Sequence, residues 1–125
     1  MKKRYYYKLI RDKIPQKIKA EGSTCQTTKL GIKEFEKELK KKLIEEAVEV
    51  VESKDQKELT KELGDVLDVW EEIRKLKRIS LSEIKTAQKE ASRKKGGFKK
   101  RLYLIWSSDD GYKSNKNKRR ASSKR

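Results

Sequence analysis

The sequence predicts an all-α fold whose core is a hairpin of two long helices, followed by a third helix. Three observations carry this prediction. Of 125 residues, 33% are hydrophobic and 45% are charged. Helices with one apolar stripe suit that balance better than a sheet buried on both faces. Apolar residues recur at helical spacing through two long stretches, and residues that stop and start helices fall between and after them.

The first twenty residues are basic with interleaved aromatics. Asp12 is expected to cap a short helix carrying Pro15 in its first turn, with Gly22-Ser23 ending it. Residues 25–30 are Thr-rich and read as extended. Over 33–52 the residues Phe35, Leu39, Leu43, Ala47, Val50 and Val51 mark the first long helix. Ser53 with Gln56 fits a capping box that opens the second. That helix runs to about Leu76, with Leu59, Leu63, Val66, Trp70 and Ile73 on one stripe. Ser80 with Glu83 repeats the capping pattern, and the third helix should stop before Gly96-Gly97. Residues 98–106 read as a short strand or packing arm. The expected organisation is one domain over 1–106 and a disordered basic tail over 107–125. Two long helices bury little alone, so a four-helix bundle completed by homodimerisation is expected, with Trp70 and Ile73 facing the partner.

Composition removes several kinds of chemistry. Without histidine there is no Ser-His-Asp triad, no histidine base and no histidine metal ligand. The single cysteine, Cys25, excludes an intrachain disulfide and, with the missing histidines, a structural zinc site. What remains is carboxylates, Lys and Arg, hydroxyls, or a hard cation held by oxygen, which points to magnesium. No apolar run reaches the ~20 residues of a membrane helix. Tyr5-Tyr6-Tyr7-Lys8 interrupts any signal-peptide core, so a cytoplasmic protein is expected. The formal charge of +16 calls for polyanionic partners. Seven basic residues and no acid lie in 113–125, whereas the acids concentrate between Glu34 and Glu90.

The two long helices carry Glu45-Glu46-x-x-Glu49 and Glu62-x-x-Asp65. At about 100° per residue, Glu46 points between Phe35 and Leu39, and Glu62 points between Val69 and Ile73. Two carboxylates therefore aim where the apolar stripes aim. A buried carboxylate must be paired, protonated or bound to a metal. Glu46 with Glu49, and Glu62 with Asp65, share a face at i,i+3 spacing. The midpoints of the pairs, 47.5 and 63.5, centre on 55.5, at the expected turn. Both pairs then lie about 12 Å from that turn. Four carboxylates at one level repel unless cations bridge them. The simpler account is surface salt bridging to Lys37, Lys40, Lys41, Lys61 or Lys75. The inward placement and matched heights weigh against it.

These segments resemble the signature of the all-α MazG-like nucleoside triphosphate pyrophosphohydrolases, and the likeness extends beyond the acids. Tyr7-x-Leu9-Ile10-Arg11-Asp12-Lys13-Ile14-Pro15 resembles the N-terminal motif of a compact, phosphoribosyl-ATP pyrophosphohydrolase-like branch. Leu39-Lys40-Lys41-Lys42-Leu43-Ile44-Glu45-Glu46 and Glu62-Leu63-Gly64-Asp65-Val66-Leu67-Asp68-Val69 resemble its central motifs. Lys94-Lys95-Gly96-Gly97-Phe98-Lys99-Lys100-Arg101 resembles its C-terminal one.

The resemblance implies Glu46, Glu49, Glu62 and Asp65 as magnesium ligands, with manganese as substitute, and Glu45 as an accompanying catalytic acid. It leaves Asp68 without a firm role. Water attack on the α-phosphorus of a nucleoside triphosphate would release pyrophosphate. The phosphate-binding candidates are Lys8, Arg11 and Lys13, with Lys95, Lys99, Lys100 and Arg101. The implied role is clearing damaged or non-standard nucleotides. Two rivals are a nucleic-acid-binding protein working through its basic ends, and an inactive nucleotide sensor of the same fold. The basic tail also invites nonspecific nucleic-acid contact.

Overall fold

The computed structural model describes residues 2–108. Within them lie four helices: α1 (Ile14–Ala20), α2 (Ile32–Val51), α3 (Gln56–Leu76) and α4 (Leu81–Lys95). No strand occurs among the described residues, so 25–30 and 98–106 form no ladder. The expected tail lies outside the described residues from 109 onwards. No helix of the described chain is long and apolar enough to cross a membrane. The chain divides within α4 into two compact units, one ending at Lys85 and the other starting at Thr86.

The first unit is organised by α2 and α3, which pack along each other as a hairpin. Its turn is set by Asp55, which caps α3 by accepting from the Glu58 amide at 2.8 Å. The capping box expected at Ser53 is not formed. Ser53 Oγ instead donates to the Val50 carbonyl at 2.8 Å, satisfying an orphan acceptor at the end of α2. Asp55 stands three residues before the amide that needs it, so it takes the cap. At the open end, Lys77 Nζ reaches Glu36 Oε1 at 3.0 Å and ties the end of α3 to the start of α2.

Other helix ends follow local chemistry. α1 has Pro15 in its first turn as expected, but Lys13 rather than Asp12 is the N-cap, and no side chain bonds the free amides. A Schellman closure ends α1: Ser23 N–H bonds Ile18 O at 3.1 Å and Gly22 N–H bonds Lys19 O at 3.0 Å, with Gly22 at φ 84°. The same closure ends α3, from Ile79 and Arg78 to the Arg74 and Lys75 carbonyls. There the left-handed position is held by Arg78, at φ 57°. The Ser80–Glu83 box at the head of α4 is formed in both directions, at 3.0 and 3.3 Å. α4 stops at Lys95, before Gly96, as expected.

The core of the hairpin is thin. Among the described residues Leu39 is the buried hydrophobic residue, at 4% exposure. Half-buried Phe35, Leu43 and Val50 extend its stripe on α2, and Leu59, Val66, Val69, Trp70, Ile73 and Leu76 line α3. Three residues assigned to the stripes fall outside them. Ala47, Val51 and Leu63 are exposed. At about 100° per residue, each lies roughly 80–120° from the inward direction. The place expected for Leu63 is taken by Glu62.

Ile44, Val48 and Val51 on α2 and Leu63 and Leu67 on α3 are all exposed. Their i,i+4 and i,i+7 spacings put them on one broad side of the hairpin, and the acids occupy the other. Trp70 and Ile73, expected to face a partner, are half-buried in the single chain.

Candidate functional site

The site is assembled by helix register. Glu46 and Glu62 average to position 54, within the turn, so the antiparallel hairpin sets them opposite each other. Asp65, one turn along α3 from Glu62, completes a group. One carboxylate oxygen from each of Glu46, Glu62 and Asp65 lies within 4.8 Å of the other two. Glu62 is the buried member, at 7% exposure. Glu46 and Asp65 are half-buried.

Glu45 and Glu49 do not join this group. Glu45 is half-buried, turned away from the stripe by its one-residue offset from Glu46. Glu49 is exposed and sits one turn nearer the loop, level with Leu59 rather than with Glu62.

Cations hold these acids. Lys61 Nζ lies 3.1 Å from Glu62 Oε1 and 3.4 Å from Asp65 Oδ2. Arg11 Nη2 lies 3.0 Å from Asp65 Oδ1 and 2.9 Å from Asp68 Oδ2. Lys42 Nζ stands 3.4 Å from Glu45 Oε1 and 3.8 Å from Glu46 Oε1. Lys8 Nζ reaches Glu45 Oε1 at 3.2 Å and also lies 5.8 Å from the centre of the Tyr6 ring.

The N-terminal segment is thus tied to the acidic side of the hairpin at two points. Its backbone bends at Tyr7, whose φ of 47° is unusual for a bulky residue. A pocket of about 180 Å³ opens beside it, lined by Tyr7, Lys8, Leu9, Glu38, Lys41, Lys42 and Glu45.

The electrostatics separate the neighbouring acids. Burial pushes the Glu46 carboxyl above its ordinary value. The charges of Asp65, Glu45 and Glu62 add to the rise, and Lys42 opposes it. Burial acts the same way on Glu45, but Lys8 and Lys42 outweigh it and bring that carboxyl below its ordinary value. The Arg11 guanidinium is raised by its hydrogen bond to Asp68 and by both aspartate charges, against some burial. Hydrogen bonds to Glu62 and Asp65 raise Lys61.

Of the basic residues singled out from sequence, Lys8 and Arg11 stand on the acid group's side of the hairpin. Lys13 is exposed at the N-cap of α1. Lys95, Lys99, Lys100 and Arg101 belong to the second unit, all exposed, with Lys95 closing α4. Arg101 adopts φ 55°. Two further lysines pair with the acids: Lys61, expected from sequence as an ion-pair partner, and Lys42, to which the sequence assigns no role. The signal for Lys61 was its i,i+4 spacing to Asp65. Lys40 and Lys41 pair with Glu36 and Glu38, away from the group, as ordinary surface bridges.

Three carboxylate oxygens from two helices form an all-oxygen donor set, which fits a hard divalent cation with remaining positions left for water and phosphate. No curated protein and no solved structure matches the chain. The family model of the MazG nucleotide pyrophosphohydrolase domain does match, over residues 34–98. That match runs through both long helices and every acid described above, over more than half of the chain. Its hairpin, its acid group and this match make the chain a member of the MazG nucleotide pyrophosphohydrolase family, whose members depend in general on a metal ion.

Proposed function

We propose that the chain hydrolyses nucleoside triphosphates to monophosphate and pyrophosphate with magnesium, or manganese in its place, held by Glu46, Glu62 and Asp65. The observation that carries this reading is the convergence of three carboxylates from facing helices, one of them buried where an aliphatic side chain would pack. Lys61 and Arg11 reach Glu62 and Asp65 only from the rim, and three carboxylates this close still favour a bridging divalent cation. Magnesium, when bound, neutralises phosphate charge and lowers the pKa of water.

The chain's own residues supply the rest. Glu49 stands one turn from Glu46 on the open side of α2, suited to a further ligand through its carboxylate. Glu45, held below the usual carboxylate range beside Lys8 and Lys42, stays ionised and suits orienting a water. Lys8, Arg11 and Lys13 offer cations for phosphate oxygens, and the cluster of Lys95, Lys99, Lys100 and Arg101 is assigned the same task by its motif. Non-standard nucleotides are the favoured substrates, and phosphoribosyl-ATP is the narrower alternative.

The same reading includes a homodimer. Ile44, Val48, Val51, Leu63 and Leu67 form an apolar side of the hairpin that a second copy would cover, giving four helices around one core.

The test is a panel of standard and modified nucleoside triphosphates, with and without magnesium, with products resolved by ion-exchange chromatography. Magnesium-dependent formation of monophosphate and pyrophosphate is expected. Release of orthophosphate, or no product from any compound by folded protein, contradicts the assignment.

A further inference from the structure

The acid group is already occupied by the protein's own cations, and they are not equivalent. Lys61 spends both of its contacts on members of the group, Glu62 at 3.1 Å and Asp65 at 3.4 Å. Arg11 spends one on Asp65 and one on Asp68, outside the group. Between them they take both oxygens of Asp65. A divalent cation at Asp65 would sit within a few ångströms of two positive charges, a repulsion that an ordinary surface pair never meets.

Arg11 can release Asp65 and remain anchored on Asp68. Among the described residues, both ion pairs of Lys61 are to members of the group. Its side chain is 71% exposed, so its four-carbon stem swings into water without disturbing the hairpin.

Resting on the metal reading above, we infer that Lys61 is an exchanging cation. It holds Glu62 and Asp65 together in the metal-free protein, leaves them as metal binds, and then contacts the phosphates of the incoming nucleotide. Three features support this. Lys61 precedes Glu62 directly and lies one turn before Asp65, so its amine starts at the rim of the site. Its two partners both lie on α3, and its charge offsets their mutual repulsion along that helix. An ammonium released beside a metal-loaded site meets the next polyanion to arrive there, because the triphosphate brings charge that the metal alone does not cancel. Lys61 therefore acts on the two ligands with opposite signs: its presence weakens metal binding to the acids and strengthens binding of triphosphate once metal is bound.

The control is Lys57, one turn earlier on α3, exposed and in none of the ion pairs described above. Lys57→Gln removes the same charge without the exchange. Manganese binding would be followed by the loss of the free-ion paramagnetic resonance signal. Binding of inorganic tripolyphosphate at saturating magnesium would be followed by calorimetry.

Lys61→Gln should bind manganese about three- to tenfold more tightly than wild type, and its magnesium-dependent affinity for tripolyphosphate should fall about tenfold. Lys57→Gln should change either quantity less than twofold. If wild type binds manganese and the two variants behave alike, or if loaded Lys61→Gln binds tripolyphosphate as tightly as wild type, the exchange is wrong and the metal site stands. If wild type binds no manganese, the metal reading falls and takes the exchange with it.

Discussion

The two broad sides of the α2–α3 hairpin invert the usual relation between polarity and burial. On one side Glu62 is 7% exposed and flanked by half-buried Glu46 and Asp65, and the N-terminal segment pairs with Glu45 through Lys8 and with Asp65 through Arg11. On the other, Val51 is 83% exposed and Leu67 62%, with Ile44, Val48 and Leu63 beside them. Acids are withdrawn from water and aliphatics are left in it. Neither arrangement favours an isolated chain, since a withdrawn charge costs stability and an open aliphatic face gains none. The proposed function gives each side a partner, a cation on one and a second copy of the chain on the other.

The comparison can be broken most forcefully on the acidic side. Asp65→Asn and Glu46→Gln should each lower magnesium-dependent pyrophosphate release at least about a hundredfold, since even outer partners of metal ligands cost 10- to 100-fold. Their circular dichroism should match wild type. Full activity in either variant would reduce the acid group to surface ion pairs.

Between the two sides lies the core that joins them. Leu39→Ala removes its buried hydrophobic residue and should lower unfolding free energy by about 2–3 kcal/mol in urea titrations, at the low end for Leu truncation because the surrounding stripe is half-buried. A loss below about 0.5 kcal/mol, the range of surface substitutions, would show that the hairpin is held by something else.

On the apolar side, Leu67→Glu should shift sedimentation from dimer towards monomer at micromolar concentration. The expected weakening is at least about tenfold, equivalent to ~1.4 kcal/mol. An unchanged sedimentation profile would leave that side without its proposed partner.

Acid titration sharpens the contrast within the acids themselves. The Glu46 carboxyl lies above its ordinary value, so its ionisation opposes folding. That penalty is present above the raised folded pKa and disappears as pH falls below the unfolded one. Glu36 is held below its ordinary value by Lys40 and Lys77, and it stabilises above the unfolded pKa and loses that effect as pH falls through the folded one. Glu46→Gln should therefore raise the urea midpoint at pH 7 and lose the advantage in acid. Glu36→Gln should lower it at pH 7 and converge with wild type in acid. Equal signs for the two variants at pH 7 would contradict the assigned environments.

Much of this was legible in the sequence because helical periodicity carries directional information. The inward aim of Glu46 and Glu62, the extents of α2 and α3, the Ser80–Glu83 box and the stop before Gly96 all follow from spacing alone. The caps at Ser53 and Asp12 did not, because several polar residues near one helix start compete for the same amides and local geometry decides among them. The stripe positions given to Leu63 and Val51 failed for another reason. An apolar residue 80–120° off the core direction has the same hydropathy as one within it, so composition hides a second face. Arg78 at a left-handed position and the approach of Arg11 to Asp65, 54 residues apart in sequence, depend on tertiary register that no local pattern encodes.

The central claim is that the inward acids exist for chemistry and not for the fold, and replacing Glu62 by leucine tests it most directly. Thermal unfolding and pyrophosphate release would be measured together, with and without magnesium. The account predicts a Glu62→Leu protein at least as stable as metal-free wild type, unresponsive to magnesium in its melting temperature, and inactive. A protein that is destabilised by the change yet still releases pyrophosphate in a magnesium-dependent way would contradict it.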